Sequence, residues 1–271
     1  MVNEGIPAVD LQDVSLHRRH RTVLEAVSFS LPRGAFLAVV GPNGSGKTSL
    51  LHTLNGRLRV EGRLSVLGVD PRKLGWHEAA RFRTRVGVMP QTFAAADNAE
   101  HGVPLSALEV VELGRTGRAG LGRAFRENDR EISAHWLEAV GLARMARRPF
   151  FALSGGEQRR VHLARVLAQE PELVLLDEPA SQLDFGAQED LVAMVERVWR
   201  QTGATFVMVS HELHHLPPGV THAGLLVHGR LQDFGAPADI LSARRLAAAY
   251  GRPILVTVQH GRRVATGGRD A

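Results

Sequence analysis

"AFLAVVGPNGSGKTSLLHTLNG", residues 35–56, holds the outline of a fold. Its first six residues form a short, unbroken apolar run, as a strand buried on both faces of a parallel sheet requires. A glycine-rich turn follows, and "KTSLLHTLNG" then reads as a helix ending near Gly56. The turn itself, "GPNGSGKT" from Gly41 to Thr48, fits G-x-x-x-x-G-K-[ST] in full. Its glycines let successive backbone N–H groups turn inward and approach phosphate oxygens closely. The helix N-terminus adds partial positive charge. Lys47 is placed to reach β- and γ-phosphates, and Thr48 to offer a hydroxyl to Mg²⁺. The candidate phosphate-binding residues are Gly41, Pro42, Asn43, Gly44, Ser45, Gly46, Lys47, Thr48 and Ser49.

Outward from this turn, residues 9–16 and 23–31 alternate apolar and polar and read as strands. Strands recur around 62–67 and 86–89. Residues 107–145 are mostly helical, broken by "GRTGRAGLGRAF", and another helix runs from about 155 to 169. "ELVLLD" (172–177) is a second buried strand, followed by a helix over 187–201 and a strand over 204–209. Strands alternating with helices predict a doubly wound α/β fold with a mainly parallel sheet. The helical block near 92–152 reads as an insertion in it.

Composition bounds the rest. The chain has 271 residues, 44% of them hydrophobic, which suits one large domain or one core with an insertion. No apolar run approaches the roughly 20 residues of a membrane-spanning helix. "MVNEGIPAVD" has neither a basic start nor an apolar stretch, so no secretory signal is expected. Without cysteine the chain has no disulfide or thiolate metal site, which fits a cytoplasmic protein. The net charge of +5 comes almost wholly from arginine spread along the chain. It forms no cluster of the kind that nucleic-acid binding needs, so no nucleic-acid partner is expected. Lys47 and Lys73 are the only lysines.

A phosphate loop does not specify the nucleotide. A GTPase would carry an Asn-Lys-x-Asp motif to read guanine. Lys73 sits in "PRKLG", so that motif is absent and ATP is favoured. "ELVLLDEPA" ends an apolar strand in Asp177, at the end where ligands bind in such sheets. Asp177 is placed to help hold Mg²⁺ through water. Glu178, one residue on, is placed to polarise an attacking water as general base. In "LSGGEQRR", Ser154 followed by Glu157 is a capping box, and Gly155 and Gly156 leave N–H groups exposed beside a helix N-terminus. That is a second anion site in one chain.

With these residues in place, the chain resembles an ATP-binding cassette (ABC) ATPase subunit over nearly its whole length. "GPNGSGKT", Gln91 in "VMPQ", "LSGGEQ", "LVLLDE", "SQLD" ending in Asp184 and "SH" ending in His211 occur in that family's order and spacing. The resemblance implies a P-loop NTPase (RecA-like) core with an N-terminal antiparallel β subdomain and an inserted α-helical subdomain at about 92–170. The cassette would span residues 1–240, with 241–271 a short extension. It implies head-to-tail pairing with a second cassette, identical or homologous. Ser154, Gly155, Gly156 and Glu157 of one subunit would then meet the γ-phosphate held by the other. It also implies that Gln91 senses Mg²⁺ and the membrane partner, that Asp184 lies at the dimer seam, and that His211 contacts the γ-phosphate. ATP and Mg²⁺ are the implied cofactors.

With no membrane span of its own, such a subunit would sit on the cytoplasmic face of the membrane, against separate permease subunits. A substrate-binding protein outside the cell would be an indirect partner. "PLSALEVVELGRTGRAG" and the short tail after "GAPADIL" resemble cassettes of metal and metal-chelate importers. The rival class is an ABC ATPase acting on DNA, RNA or ribosomes. Such proteins usually carry two cassettes, a long coiled coil or basic extensions, and this sequence has none of these. The family commonly stacks an aromatic residue on adenine. Here that position falls near Arg18, whose guanidinium plane can stack on a base, with His17 and His20 as substitutes.

"SHELHH" from Ser210 also matches the H-E-x-x-H pattern of zinc metalloproteases. That pattern needs both histidines on one helix, with a third ligand elsewhere. "ATFVMVS" reads as a strand, and Pro217 and Pro218 cut any following helix short. His211 therefore stands at a strand end, and His214 and His215 are expected on a helix surface.

Overall fold

The structure is a computed structural model that describes residues 5–19, 21–91, 105–119, 124–259 and 261–268. Seventeen residues of the expected helical insertion, 92–104 and 120–123, lie outside the described residues, as does His20.

The first element pair is antiparallel, β1 (Val9–Arg18) with β2 (Arg21–Leu31). Strand β3 (Phe36–Val40) follows, completely buried, and the turn after it leads into helix α1 (Lys47–Leu54). Strand β4 (Glu61–Val66) returns to pair with β1, completing a three-stranded antiparallel sheet ordered β2-β1-β4. Helix α2 (Trp76–Arg85), which the sequence pattern leaves unassigned, buries only Phe82; one apolar contact gives no readable period. Strand β5 (Val86–Met89) closes this part of the chain.

The helical block contains α3 (Ala107–Glu112), α4 (Thr116–Ala119), α5 (Glu127–Ala139) and α6 (Gly155–Ala168). Arg115, 5% exposed, fastens this block together. It donates to Asp129 Oδ1 of α5 at 2.9 Å and to the Ala168 carbonyl at the end of α6 at 2.7 Å. A buried guanidinium persists only when so satisfied.

Strand β6 (Leu173–Asp177), helix α7 (Phe185–Thr202) and strand β7 (Thr205–Ser210) continue the parallel layer. A hairpin of β8 (His222–Val227) and β9 (Arg230–Gly235) then adds to its far edge. The large sheet runs β5-β6-β7-β3-β8-β9, parallel except for β9. Short helices α8 (Pro237–Ile240) and α9 (Ala243–Tyr250) and an antiparallel hairpin, β10 (Ile254–Gln259) with β11 (Arg262–Gly267), end the described chain.

Alternation along the parallel strands divides the core. Val174, Leu176, Phe206 and Met208 pack with α3, α5, α6 and α7 on one face. Leu173, Leu175, Val207 and Val209 pack with α1 and the antiparallel sheet on the other. Side chains of successive strand residues point to opposite faces, so one run of sequence feeds both clusters. Ile240, Leu241, Leu246 and Ala249 join Ala38 and Val40 of β3 in a third cluster, which seats the C-terminal helices against the central strand.

The register sets the site. Val40 lies opposite Ser210, and Asp177 opposite Val209, so β3, β6 and β7 end at one level. Gly41, Glu178 and His211 are each the next residue beyond such an end. Ligands bind in parallel sheets at this carboxyl edge, where backbone groups leave the ladder and helix N-termini converge.

Candidate active site

The phosphate loop is closely confined. A Cβ added to Gly41 would stand 1.9 Å from the Leu226 carbonyl oxygen, and one added to Gly46 would stand 2.8 Å from that of Val23. Gly46 also holds φ at 106°, a left-handed conformation that favours glycine, directly before the first residue of α1. Lys47 is 6% exposed and donates from Nζ to the carbonyls of Gly41 at 2.8 Å and Pro42 at 3.0 Å. Burial holds its amine below the ordinary value, against the pull of Glu178 and Asp177. Ser45 Oγ is buried without a hydrogen-bond partner among the described residues. A buried hydroxyl left over in a ring of phosphate-sized turns is a group waiting for an oxygen.

Beside the loop, Thr48 donates its hydroxyl to Asp177 Oδ1 at 3.1 Å. Burial pushes the Asp177 carboxyl up, against the Thr48 hydrogen bond, and the neighbouring Glu178 pushes it further. Two carboxylates and a hydroxyl crowded beside one another, all oxygen donors, suit a hard divalent cation. Thr48 and Asp177 thus fit Mg²⁺ by donor chemistry as well as by position.

Glu178 is 9% exposed and has φ at 46°, unusual for a residue with a side chain. Its backbone is held by its own N–H to the Val209 carbonyl at 3.1 Å and by the Ser181 hydroxyl to its carbonyl at 2.9 Å. The strain turns the carboxylate between two neighbours. Gln91 Nε2 donates to Oε2 at 2.9 Å, and His211 Nδ1 meets Oε1 at 2.9 Å. An ionised carboxylate only accepts, so His211 donates to it from Nδ1–H. Gln91, Glu178 and His211 follow three adjacent strands, β5, β6 and β7, and form one hydrogen-bonded row.

These groups line a cavity of about 660 Å³ together with Asn43, Gly44, Lys47, Thr48 and Ser49. Arg21, Thr22 and Val23 line it too. Arg18 does not line it. Strand β1 is the middle strand of its sheet, so β2 stands between it and the cavity, one strand spacing closer. Ser154, Gly155, Gly156, Glu157 and Asp184 do not line it either. Ser154 caps α6, with its hydroxyl accepting from Glu157 N–H at 3.3 Å, while the Glu157 carboxylate accepts from Ser154 N–H at 2.7 Å. Asp184 caps α7 by accepting from Ala187 N–H at 3.0 Å. The two caps adjoin, for a Cβ on Gly156 would lie 3.0 Å from that of Ala187.

Besides Arg21, Thr22 and Val23, three residues at the site escape the sequence reading. His228 and Gly229 form the β8–β9 turn and line the cavity. Gly229 N–H donates to the Ser45 carbonyl at 3.0 Å, and its own carbonyl accepts from Glu25 N–H at 2.8 Å. The turn therefore stitches the phosphate loop to β2. Its signal was a two-residue His-Gly turn between apolar runs, a hairpin pattern. Tyr250, the one tyrosine, donates its hydroxyl to the His211 carbonyl at 3.2 Å from the end of α9. Nothing local in the sequence marks that contact. His215 corrects a sequence expectation: it is 3% exposed, on a short 3-10 turn (Leu213–His215), and not on a helix surface. Leu213 and Leu216 draw the turn into the core.

With this geometry in view, similarity to known proteins is specific. The sequence profile of the ABC transporter family matches residues 24–181. The hemin import ATP-binding protein of Rhodococcus jostii is 36% identical over 256 residues, spanning 94% of this chain and 84% of that protein. The manganese transport system ATP-binding protein of Bacillus subtilis is 31% identical, spanning 90% of this chain and 92% of that one. A solved structure described as an inward-facing conformation of a putative metal-chelate type ABC transporter superposes with a TM-score of 0.80. The likeness covers 97% of this chain and 98% of that one at 24% identity, a likeness of fold. The chain belongs to the ABC transporter family, as an ATP-hydrolysing ATP-binding subunit.

Proposed function

We propose that this subunit hydrolyses ATP in a sandwich with a second cassette and drives a separate membrane permease that imports a metal ion or metal chelate. The observation that carries the proposal is the Gln91–Glu178–His211 row, set at the strand ends beside the phosphate loop. Glu178 takes the proton of the water that attacks the γ-phosphate, while Gln91 and His211 aim its carboxylate. Lys47 exchanges its two loop carbonyls for phosphate oxygens, and Ser45 gains the partner it lacks. Thr48 and Asp177, with Gln91 near them, would hold Mg²⁺, which when bound offsets charge on the β- and γ-phosphates. His211 serves the γ-phosphate through Nε2 once nucleotide is present. The adenine base would lie toward Arg21–Val23.

Ser154, Gly155, Gly156, Glu157 and Asp184 act on the partner cassette's nucleotide. Their separation from this chain's own cavity and their position on adjoining exposed caps support that assignment. The partner is a second copy or a homologue. We take residues 1–240 as the cassette, with the helical part inserted at about 92–170, and 241–271 as an extension. No described helix is long and apolar enough to cross a membrane, which supports a peripheral place on the cytoplasmic face, against permease subunits. A groove of about 580 Å³ lined by Val88, Pro90, Leu113 and Gly117 supports contact with the permease, since Gln91 follows Pro90. A binding protein outside the cell would deliver cargo to that permease.

The cargo class rests on the likeness to hemin and manganese import proteins. Co-purification from native membranes would identify the permease. Proteoliposomes holding the complex should then take up labelled haem, ferric siderophore or manganese with ATP, and lose uptake with Glu178→Gln. Purification with no permease, or uptake of only sugars or amino acids, would refute the proposal.

A further inference from the structure

Just past His211, Glu212, His214 and His215 bring one carboxylate and two imidazoles together. Their ligand atoms all lie within 4.8 Å of one another, and no other such trio occurs among the described residues. Glu212 Oε2 is 3.2 Å from His214 Nε2 and 3.1 Å from His215 Nε2. The two rings lie 4.3 Å apart, tilted by 62°.

His215 is the telling member. Its side chain is 3% exposed, and Nε2 is buried with no hydrogen bond. The Glu212 oxygen is near enough to bond it and yet out of line. A buried ring nitrogen left so needs an explanation. Donor atoms around a tetrahedral first-row cation, with bonds of about 2.0–2.2 Å, stand roughly 3.3 Å apart. Their lone pairs point at a shared centre and not at one another. Both the spacing and the misalignment here match that arrangement.

Local structure prepares it. The Ser210 hydroxyl accepts from Glu212 N–H at 3.0 Å and donates to the Glu212 carbonyl at 2.9 Å. Leu213 and Leu216 anchor the 3-10 turn in the core, and Pro217 stops it from lengthening. The two histidines are therefore adjacent on a tight turn. The arrangement is not that of a zinc metalloprotease, because Glu212 is on the ligand side and His211 is engaged by Glu178. An open path exists, since His214 lines a cavity of about 950 Å³ bounded by Gln259 and Arg262 of the terminal hairpin.

We propose that Glu212, His214 and His215 bind a first-row transition-metal ion of the zinc class, and that the bound ion slows ATP hydrolysis through His211. Two imidazoles and one carboxylate select such ions over Mg²⁺ and Ca²⁺. The link to His211 is Glu212 itself. Its Oε2 faces the two histidines, while Oε1 lies 3.5 Å from His211 Nε2. An ion on Oε2 fixes that carboxylate beside His211 Nε2, so Nε2 loses freedom to turn to the γ-phosphate.

The test uses the full-length, tag-free chain. Equilibrium dialysis with Zn²⁺ should find one ion per chain, and Co²⁺ should show the absorption of a tetrahedral site. His214→Ala and His215→Gln should each weaken Zn²⁺ binding by at least about tenfold. Melting with and without Zn²⁺ checks folding, and His214→Ala covers the case in which the buried variant fails to fold. Under excess Mg²⁺ and ATP, Zn²⁺ should lower wild-type turnover several-fold and leave His214→Ala unaffected, with the same basal rate. Absent stoichiometric binding, or binding indifferent to both substitutions, would overturn the site. Binding lost in His214→Ala with Zn²⁺ inhibition retained would overturn the link to His211.

Discussion

Two helix N-termini in this chain are built from glycine, serine and a nearby acid, and they differ in completeness. At α1 the loop Gly41–Thr48 is enclosed by β2, β3 and the β8–β9 turn, and Lys47 and Ser45 are buried in it. At α6, Ser154 and Gly155 are exposed, and Glu157 returns to its own cap. The first end is walled in by its own chain. The second satisfies its donors locally and presents them outward, beside Asp184 and the 75% exposed Phe185. Burial thus separates an enclosed loop from an exposed cap, although both obey the same helix-end electrostatics.

The largest effect should fall on the enclosed end. Glu178→Gln keeps the shape and removes the base, so turnover should drop by roughly 10²–10⁴-fold while ATP binding persists. Single-turnover hydrolysis with parallel calorimetry reads both. A wild-type rate would end the assignment of Glu178 as base.

The contrast itself can be broken by a pair of substitutions. Lys47→Ala removes a charge-assisted contact from the enclosed end and should weaken ATP binding in the monomer by about 10–100-fold. Ser154→Arg should leave that binding intact and abolish ATP-dependent dimerisation, seen by light scattering in a Glu178→Gln background. If Ser154→Arg still dimerises with ATP, the α6 end is an ordinary cap and the distinction fails.

Acid should act on the second region through its interior. His162 lies in α6 against Phe150, and burial holds its imidazole down to about 3. The unfolded chain protonates near 6.5, so between these values it binds a proton that the folded chain does not. Stability is therefore full above about pH 6.5 and falls as pH drops toward 3, by up to about 1.4 kcal/mol per unit. Urea midpoints across that range should slope less in His162→Gln. Equal slopes would assign the acid sensitivity elsewhere.

The smallest effect should come from the far end of the chain. Tyr250→Phe removes one hydrogen bond to the His211 carbonyl, of the order of 1 kcal/mol. The loop that holds His211 should loosen, and turnover should fall a few-fold with nucleotide affinity unchanged. A changed affinity would mean that Tyr250 acts on the phosphate loop.

Legibility followed the range of the forces involved. The phosphate loop, the Asp177–Glu178 strand end and the α6 cap are written in contiguous residues, because turn geometry, capping and strand burial act over a few positions. The parallel sheet and the helical insertion followed from local periodicity. Helix α2 did not, with a single buried side chain, and neither did the role of the β8–β9 turn, whose partners Ser45 and Glu25 lie far away in sequence.

The chemistry at the carboxyl ends of β3, β6 and β7 was written in the motifs themselves, since each carries its own donors and acceptors. Which of them meet depends on how the elements pack. Strand register levels Gly41, Glu178 and His211 and closes the row with Gln91. Sheet order sets β2 against the cavity and so brings Arg21 to its wall. Core packing pulls His215 inward and Tyr250 onto His211, contacts over distances in sequence that no local pattern records. Residues far apart in the chain become neighbours only when burial of apolar surface fixes one arrangement of the elements, and that arrangement is a property of the whole chain.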